Sequence, residues 1–231
     1  MTPQRYARIQ SALARRQPDL TVLLDRVHKA HNLAAVLRTC DAVGIHELHA
    51  VPLPGSWKPA KGTSLGSERW IEVHLHASAE LAAQQLRERG FLIYAAHLCA
   101  DATDFREADY TLPCALLLGA EKQGVSASAA ALADRRIIIP MLGMAASLNV
   151  SVAAGMILAE TQRQRLQAGL YQGPRLPPAS YRRALLRWTH PVIAAYCDRQ
   201  GLPYPHLDGQ GELADLETWQ ARMRGANRGR A

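Results

Sequence analysis

Cysteine is scarce in this 231-residue chain and is never paired at short range. Cys40, Cys99, Cys114 and Cys197 lie far apart with no C-x-x-C, so neither a zinc site nor a disulfide framework is expected. The histidines form no H-E-x-x-H or comparable spacing, and no metal is expected on that ground either. No apolar run reaches the roughly 18 residues that a membrane span needs. The opening residues, Met1 to Gln10, hold no signal-peptide core. No membrane association and a reducing cytoplasm are therefore expected.

Nucleotide fingerprints are missing as well. No G-x-G-x-x-G follows the first strand-like run, so dinucleotide chemistry is disfavoured. Gly119 and Gly124 have the separation of a phosphate loop, but Val125 stands where that loop requires lysine. Nucleotide hydrolysis is thereby disfavoured too. An apolar content of 48% with 20% charged residues remains ordinary for a soluble enzyme.

The formal charge of +7 is unevenly spread. Residues 21–160 carry 12 Lys+Arg against 14 Asp+Glu, whereas residues 1–20 carry 4 against 1 and residues 161–231 carry 11 against 5. Basic ends around a near-neutral centre suit a polyanionic partner, because the planar guanidinium donates two hydrogen bonds at once to phosphate. Solvated helix faces are the plain alternative.

Periodicity supplies the rest of the layout. Thr2-Pro3 reads as a helix cap with proline at the first helical position, and Tyr6, Ile9 and Leu13 recur at helical spacing. Strand-like and helix-like runs then alternate. The strands are expected at Leu20–Val27, Glu47–Val51, Ile71–His76, Phe91–His97, Cys114–Leu118 and Ile137–Ile139; the helices are expected at Leu33–Val43, Ser78–Arg89, Ser126–Ala133 and Val150–Glu160. That alternation predicts a parallel α/β sheet with helices on both faces. A cluster of Gly173, Pro174, Pro177 and Pro178 follows, with two or three short helices beyond it. The expected organisation is a basic N-terminal helix over 1–19, an α/β domain over 20–170 and a basic helical extension over 171–231.

Ligands bind α/β sheets beyond the carboxyl ends of the strands. Asn32 reads there as a helix cap after the first strand, with Arg38 the lone charge between His31 and Asp41. Glu121 and Lys122 project from the turn between Gly119 and Gly124. In the stretch Ile137 to Glu160, Ser147 and Asn149 stand where a helix begins, as caps for its unpaired N–H groups or as groups presented to a ligand.

Three of these segments, Asn32 to Gly44, Leu116 to Ser126 and Ile137 to Ala154, resemble in order and spacing the three motifs of the SpoU branch of the SPOUT methyltransferases. Flanks at Arg15–Val22, Asp104–Tyr110 and Ala159–Tyr171 are similar to those of its tRNA guanosine-2′-O-methyltransferases. The resemblance implies a C-terminal trefoil knot, a homodimer, and methyl transfer from S-adenosylmethionine to the ribose 2′-hydroxyl of guanosine 18 in the tRNA D-loop. It also implies that backbone groups at Gly119, Ile139 and Leu148, with Ala96 beside them, hold the cofactor. Arg38 would activate the ribose hydroxyl, either as a base or as a cation stabilising the developing alkoxide. Asn32, Glu121, Ser147 and Asn149 would orient it. A ribosomal RNA methyltransferase is the competing expectation, for which a larger N-terminal RNA-binding domain would be usual; a non-catalytic RNA-binding protein is the other.

Overall fold

The computed structural model describes residues 1–53, 67–120 and 123–214 together with Glu217 and Trp219. The chain divides into two compact units, Arg16–Arg175 and Met1–Arg15 with Leu176–Ala231. The helices at the two ends of the chain, read from sequence as separate extensions, thus belong to one unit. The boundaries fall at Arg16 and Arg175 because both are tied into the α/β unit. Arg16 donates to the Ile45 carbonyl (2.6 Å) and pairs with Asp41, while Arg175 grips Asp19 (2.7 and 2.8 Å).

The larger unit is an all-parallel sheet of seven strands: β1 (Leu20–Asp25), β2 (Glu47–Val51), β3 (Glu72–Leu75), β4 (Leu92–Ala96), β5 (Thr103–Asp104), β6 (Cys114–Gly119) and β7 (Arg135–Ile138). Their spatial order is β3-β2-β1-β6-β4-β7-β5. Every residue of β1 is buried, as a central parallel strand covered on both faces requires. The two-residue pleat sorts its side chains. Leu20, Val22 and Leu24 join a core with Leu116, Leu118 and the helices α2 (Ala30–Ala42) and α5 (Val150–Gln167). Leu23 joins an opposite core with Ala115, Leu117 and the helices α3 (Ala79–Glu88) and α4 (Ala127–Ala130). Helices on both faces are thus observed. The edge strand β5 escaped sequence reading because two residues carry no alternation.

One charged side chain ties this unit together from within. Arg165, on α5, is fully buried and uses all five of its N–H donors. They reach the carbonyls of Tyr110, Leu112 and Asp19, the amide oxygen of Gln17 and the carboxylate of Asp19, at 2.7–3.1 Å. Burial pushes the Asp19 carboxyl upward, but hydrogen bonds from Arg175 and Arg165 outweigh it and hold the group below the usual carboxylate range.

In the smaller unit, α1 (Pro3–Leu13) starts as the sequence suggests. The Thr2 hydroxyl accepts from the Arg5 N–H at 3.3 Å, Pro3 fills the first turn, and Tyr6, Ile9 and Leu13 are buried. α1 packs on α6 (Pro178–Thr189), and α6 packs on α7 (Pro191–Gln200). Within this unit the Met1 ammonium meets Glu212 at 2.8 Å. Among the described residues, no helix is long and apolar enough to cross a membrane.

Candidate active site at the carboxyl edge of the sheet

The strand register brings separate parts of the sequence to one edge. Asp25, the last residue of β1, lies opposite Gly119, the last of β6; Ala96, the last of β4, lies opposite Ile137 of β7. The segment 139–149 then leaves that edge and enters α5. It forms neither strand nor helix up to the Asn149 carbonyl, which accepts the first N–H groups of α5. Ile139 and Ala96 are partly buried against the core beneath, and Leu148 is partly buried as well.

Asn149 caps α5: its Oδ1 accepts from the N–H of Ser151 at 2.9 Å and from the Ser151 hydroxyl at 2.6 Å. Its Nδ2 donates to Oδ1 of Asn32 at 3.3 Å. Asn32 does not cap α2, which begins at Ala30 with Lys29 at the capping position. It sits within the first turn instead, 2% exposed, where its side-chain carbonyl oxygen meets the Asn149 cap of α5. The pairing needs α2 and α5 side by side, which a cap reading of either residue alone does not suggest. Ser147 is exposed and takes no part in the cap.

Arg38 is exposed on α2, six residues and about 9 Å of helix rise beyond Asn32. Asp41, three residues further on, pairs with Arg16. Glu121 lies outside the described residues. The N–H of Gly124 donates to the Ala120 carbonyl at 2.7 Å, and the buried Asp25 carboxylate accepts from the N–H of Ser126 at 2.9 Å.

Asp25 and its neighbour were missed by sequence reasoning. Arg26 adopts a left-handed backbone with φ 58°, uncommon without glycine and often found where strain serves a site. A carboxylate ending the otherwise apolar run Leu20–Leu24 was the available signal.

Gly119 is required by close approach. A Cβ there would lie 2.0 Å from the carbonyl carbon and oxygen of Gly124, which are backbone atoms with no room to yield. Gly119→Ala is therefore expected to force the turn open and to weaken binding of S-adenosylmethionine more than tenfold; calorimetric titration checks this, and unchanged affinity would remove Gly119 from the site.

The donor set is apolar side chains together with backbone groups outside strand and helix. That suits an adenosine and methionine held by main-chain contacts, with no acidic ribose clamp needed. No group of three His, Cys, Asp or Glu among the described residues is placed to hold a metal ion.

A family model described as the SpoU rRNA methylase family matches residues 19–159, and one for the C-terminal region of SpoU rRNA methylases matches residues 163–215. This chain belongs to the SpoU family. As a SpoU protein it is 50% identical over 229 residues to the tRNA (guanosine(18)-2′-O)-methyltransferase of Escherichia coli (strain K12), which covers 98% of this chain and 100% of that protein. It is 58% identical over 187 residues to the Thermus thermophilus protein of the same name, covering 81% and 96% of the two chains. Among solved SpoU structures, the A. aeolicus TrmH/SpoU tRNA modifying enzyme matches with TM-score 0.78 and 40% identity, covering 82% of this chain and 97% of that one. The SpoU methyltransferase AviRb from Streptomyces viridochromogenes, in complex with the cofactor AdoMet, matches with TM-score 0.59 and 29% identity over 65% and 62% of the two chains.

Proposed function

We propose that this chain is a homodimeric enzyme that methylates the ribose 2′-hydroxyl of guanosine 18 in tRNA, with S-adenosylmethionine as the donor. The observation that carries this reading is relatedness over nearly the whole chain to a methyltransferase of that specificity. Its support in the fold is the convergence of Ala96, Gly119, Ile139, Leu148, Asn32 and Asn149 at one sheet edge. The reaction then belongs in the cytoplasm, where tRNA is processed.

When bound, S-adenosylmethionine supplies an electrophilic methyl group. The protein's own part is to hold the ribose oxygen and to stabilise the negative character it gains as its proton passes to solvent. Arg38 does the latter, as a fixed cation in the manner of an oxyanion site. Asn149, locked by Ser151 and Asn32, presents a preorganised amide at the start of α5. Ser147 and Glu121 complete the set that orients the sugar. The trefoil knot belongs to the same reading; the insertion of β6 and β7 on either side of β4 is the support for it.

The dimer reading rests on apolar surface. Leu142 and Met144, in the segment that forms the edge, are fully exposed, and Val152 on α5 is 50% exposed. A monomer rarely leaves such a run uncovered beside a site, and a second copy would cover it while closing the site from water. A light-scattering mass of two chains is expected, and Val152→Asp should shift it toward one chain.

The deciding experiment incubates the purified protein with labelled cofactor and either bulk tRNA or ribosomal RNA, then maps the modified nucleotide. Methylated guanosine at position 18 supports the reading. Label confined to ribosomal RNA, or no label, overturns it.

A further inference from the structure

A cleft lies wholly within the smaller unit. It has a volume of about 440 Å³, and its walls include Arg182 and Arg183 of α6, Asp198 of α7, and Tyr204, Pro205 and His206 of the segment that follows. That size lies in the range of small-ligand sites, and it accommodates one nucleotide.

The cleft is shaped in advance. Gly201 ends α7 in the left-handed conformation (φ 63°), and Pro203 and Pro205 fix the extended run after it. Tyr204 is anchored by its hydroxyl, which donates to Asp198 at 2.7 Å and accepts from Arg187 at 3.0 Å. Arg187 also pairs with Asp198 at 3.0 Å. The aromatic ring is therefore held in place by its far end. Among the described residues, Asp198 is the one carboxylate lining the cleft and faces both Arg187 and Arg183, so that with Arg182 the guanidiniums outnumber it. The whole unit carries 11 Lys+Arg against 5 Asp+Glu, while the α/β unit carries 16 against 15. The smaller unit thus holds most of the protein's net positive charge.

We infer that this cleft holds one unstacked nucleotide of the tRNA substrate, with its phosphates on Arg182 and Arg183 and its base against Tyr204. A fixed aromatic face beside forked cations is the chemistry that binds single-stranded nucleic acid with little regard to sequence. The inference rests on the tRNA reading above and adds to it a contact made by the smaller unit.

Binding is measured on the full-length protein, by titration with unmodified tRNA at several salt concentrations. Arg182→Ala with Arg183→Ala should raise the Kd at least tenfold and reduce the slope of log Kd against log salt by about two, roughly one per lost phosphate contact. Tyr204→Leu should raise the Kd roughly tenfold with the salt slope intact. Tyr204→Phe, which keeps the ring and loses the anchor, should stay close to the parent. Tyr204 should also be the residue joined to tRNA carrying photoreactive 4-thiouridine.

Unchanged Kd and slope in the arginine variant would overturn the inference. So would equal losses in the leucine and phenylalanine variants, which would make Tyr204 a structural anchor only. Methylation is read separately in the parent protein: absence of methylated guanosine sinks the function reading, whereas the cleft stands or falls on the binding data.

Discussion

Arg38→Ala is expected to lower methyl transfer by roughly 10²–10³-fold, the cost of removing one preorganised donor from a developing oxyanion, while affinity for S-adenosylmethionine stays at the parent value. The physical case is acid–base. A sugar hydroxyl is a very weak acid, and a guanidinium keeps its proton under all ordinary conditions. Literal proton abstraction by Arg38 is therefore the harder route, and charge stabilisation the easier one. Arg38→Lys separates the two contributions: it keeps the charge but loses the planar fork, so partial activity is expected. Arg38 stands on the exposed side of α2, and the core residues of that helix, Val36 and Leu37, are untouched by either change. Calorimetry is the check. Loss of cofactor binding in step with activity would make Arg38 a structural residue.

Arg165→Met should have the largest effect on stability. It removes five hydrogen bonds and leaves the Asp19 carboxylate with Arg175 alone, inside a partly buried site. Removing one partner of a buried ion pair costs about 3–5 kcal/mol, which for a chain of this length is a fall of roughly 10 °C in Tm. Scanning calorimetry reads it directly, and a fall of only a degree or two would show that the network contributes little.

The same network sets an acid limit. The carboxyl of Asp19 is held below its ordinary value, so its ionised form stabilises the fold at pH values above roughly 4, the unfolded value. That stabilisation is lost as pH falls from there through the depressed native value. Asp19→Asn should therefore flatten the loss of stability on the acid side. An acid unfolding curve as steep as the parent's would place the responsible group elsewhere.

Much of the architecture was legible in advance because local rules governed it. β1 and β6 are mostly apolar runs, buried along almost their whole length as central parallel strands are. The caps at Thr2 and Ser78 bond to the third residue onward, as short oxygen-bearing side chains do at helix starts. Where the reading went astray, a tertiary partner had changed a residue's task. Asn32 looked like a cap and became a buried partner of Asn149, because α5, 117 residues later, lies against α2.

The sequence alone therefore determined the parallel sheet, its two covering helical layers, and the loops beyond the strand ends where a ligand would bind. These follow from periodicity and turn chemistry, which act between near neighbours. Tertiary structure decided which loops meet, that Gly119 must lack a side chain because Gly124 returns against it, and that the basic ends of the chain form one unit with a cleft of its own. Those outcomes depend on contacts between residues far apart in the chain. Their energy appears only when packing brings the partners together, so no local pattern could encode them.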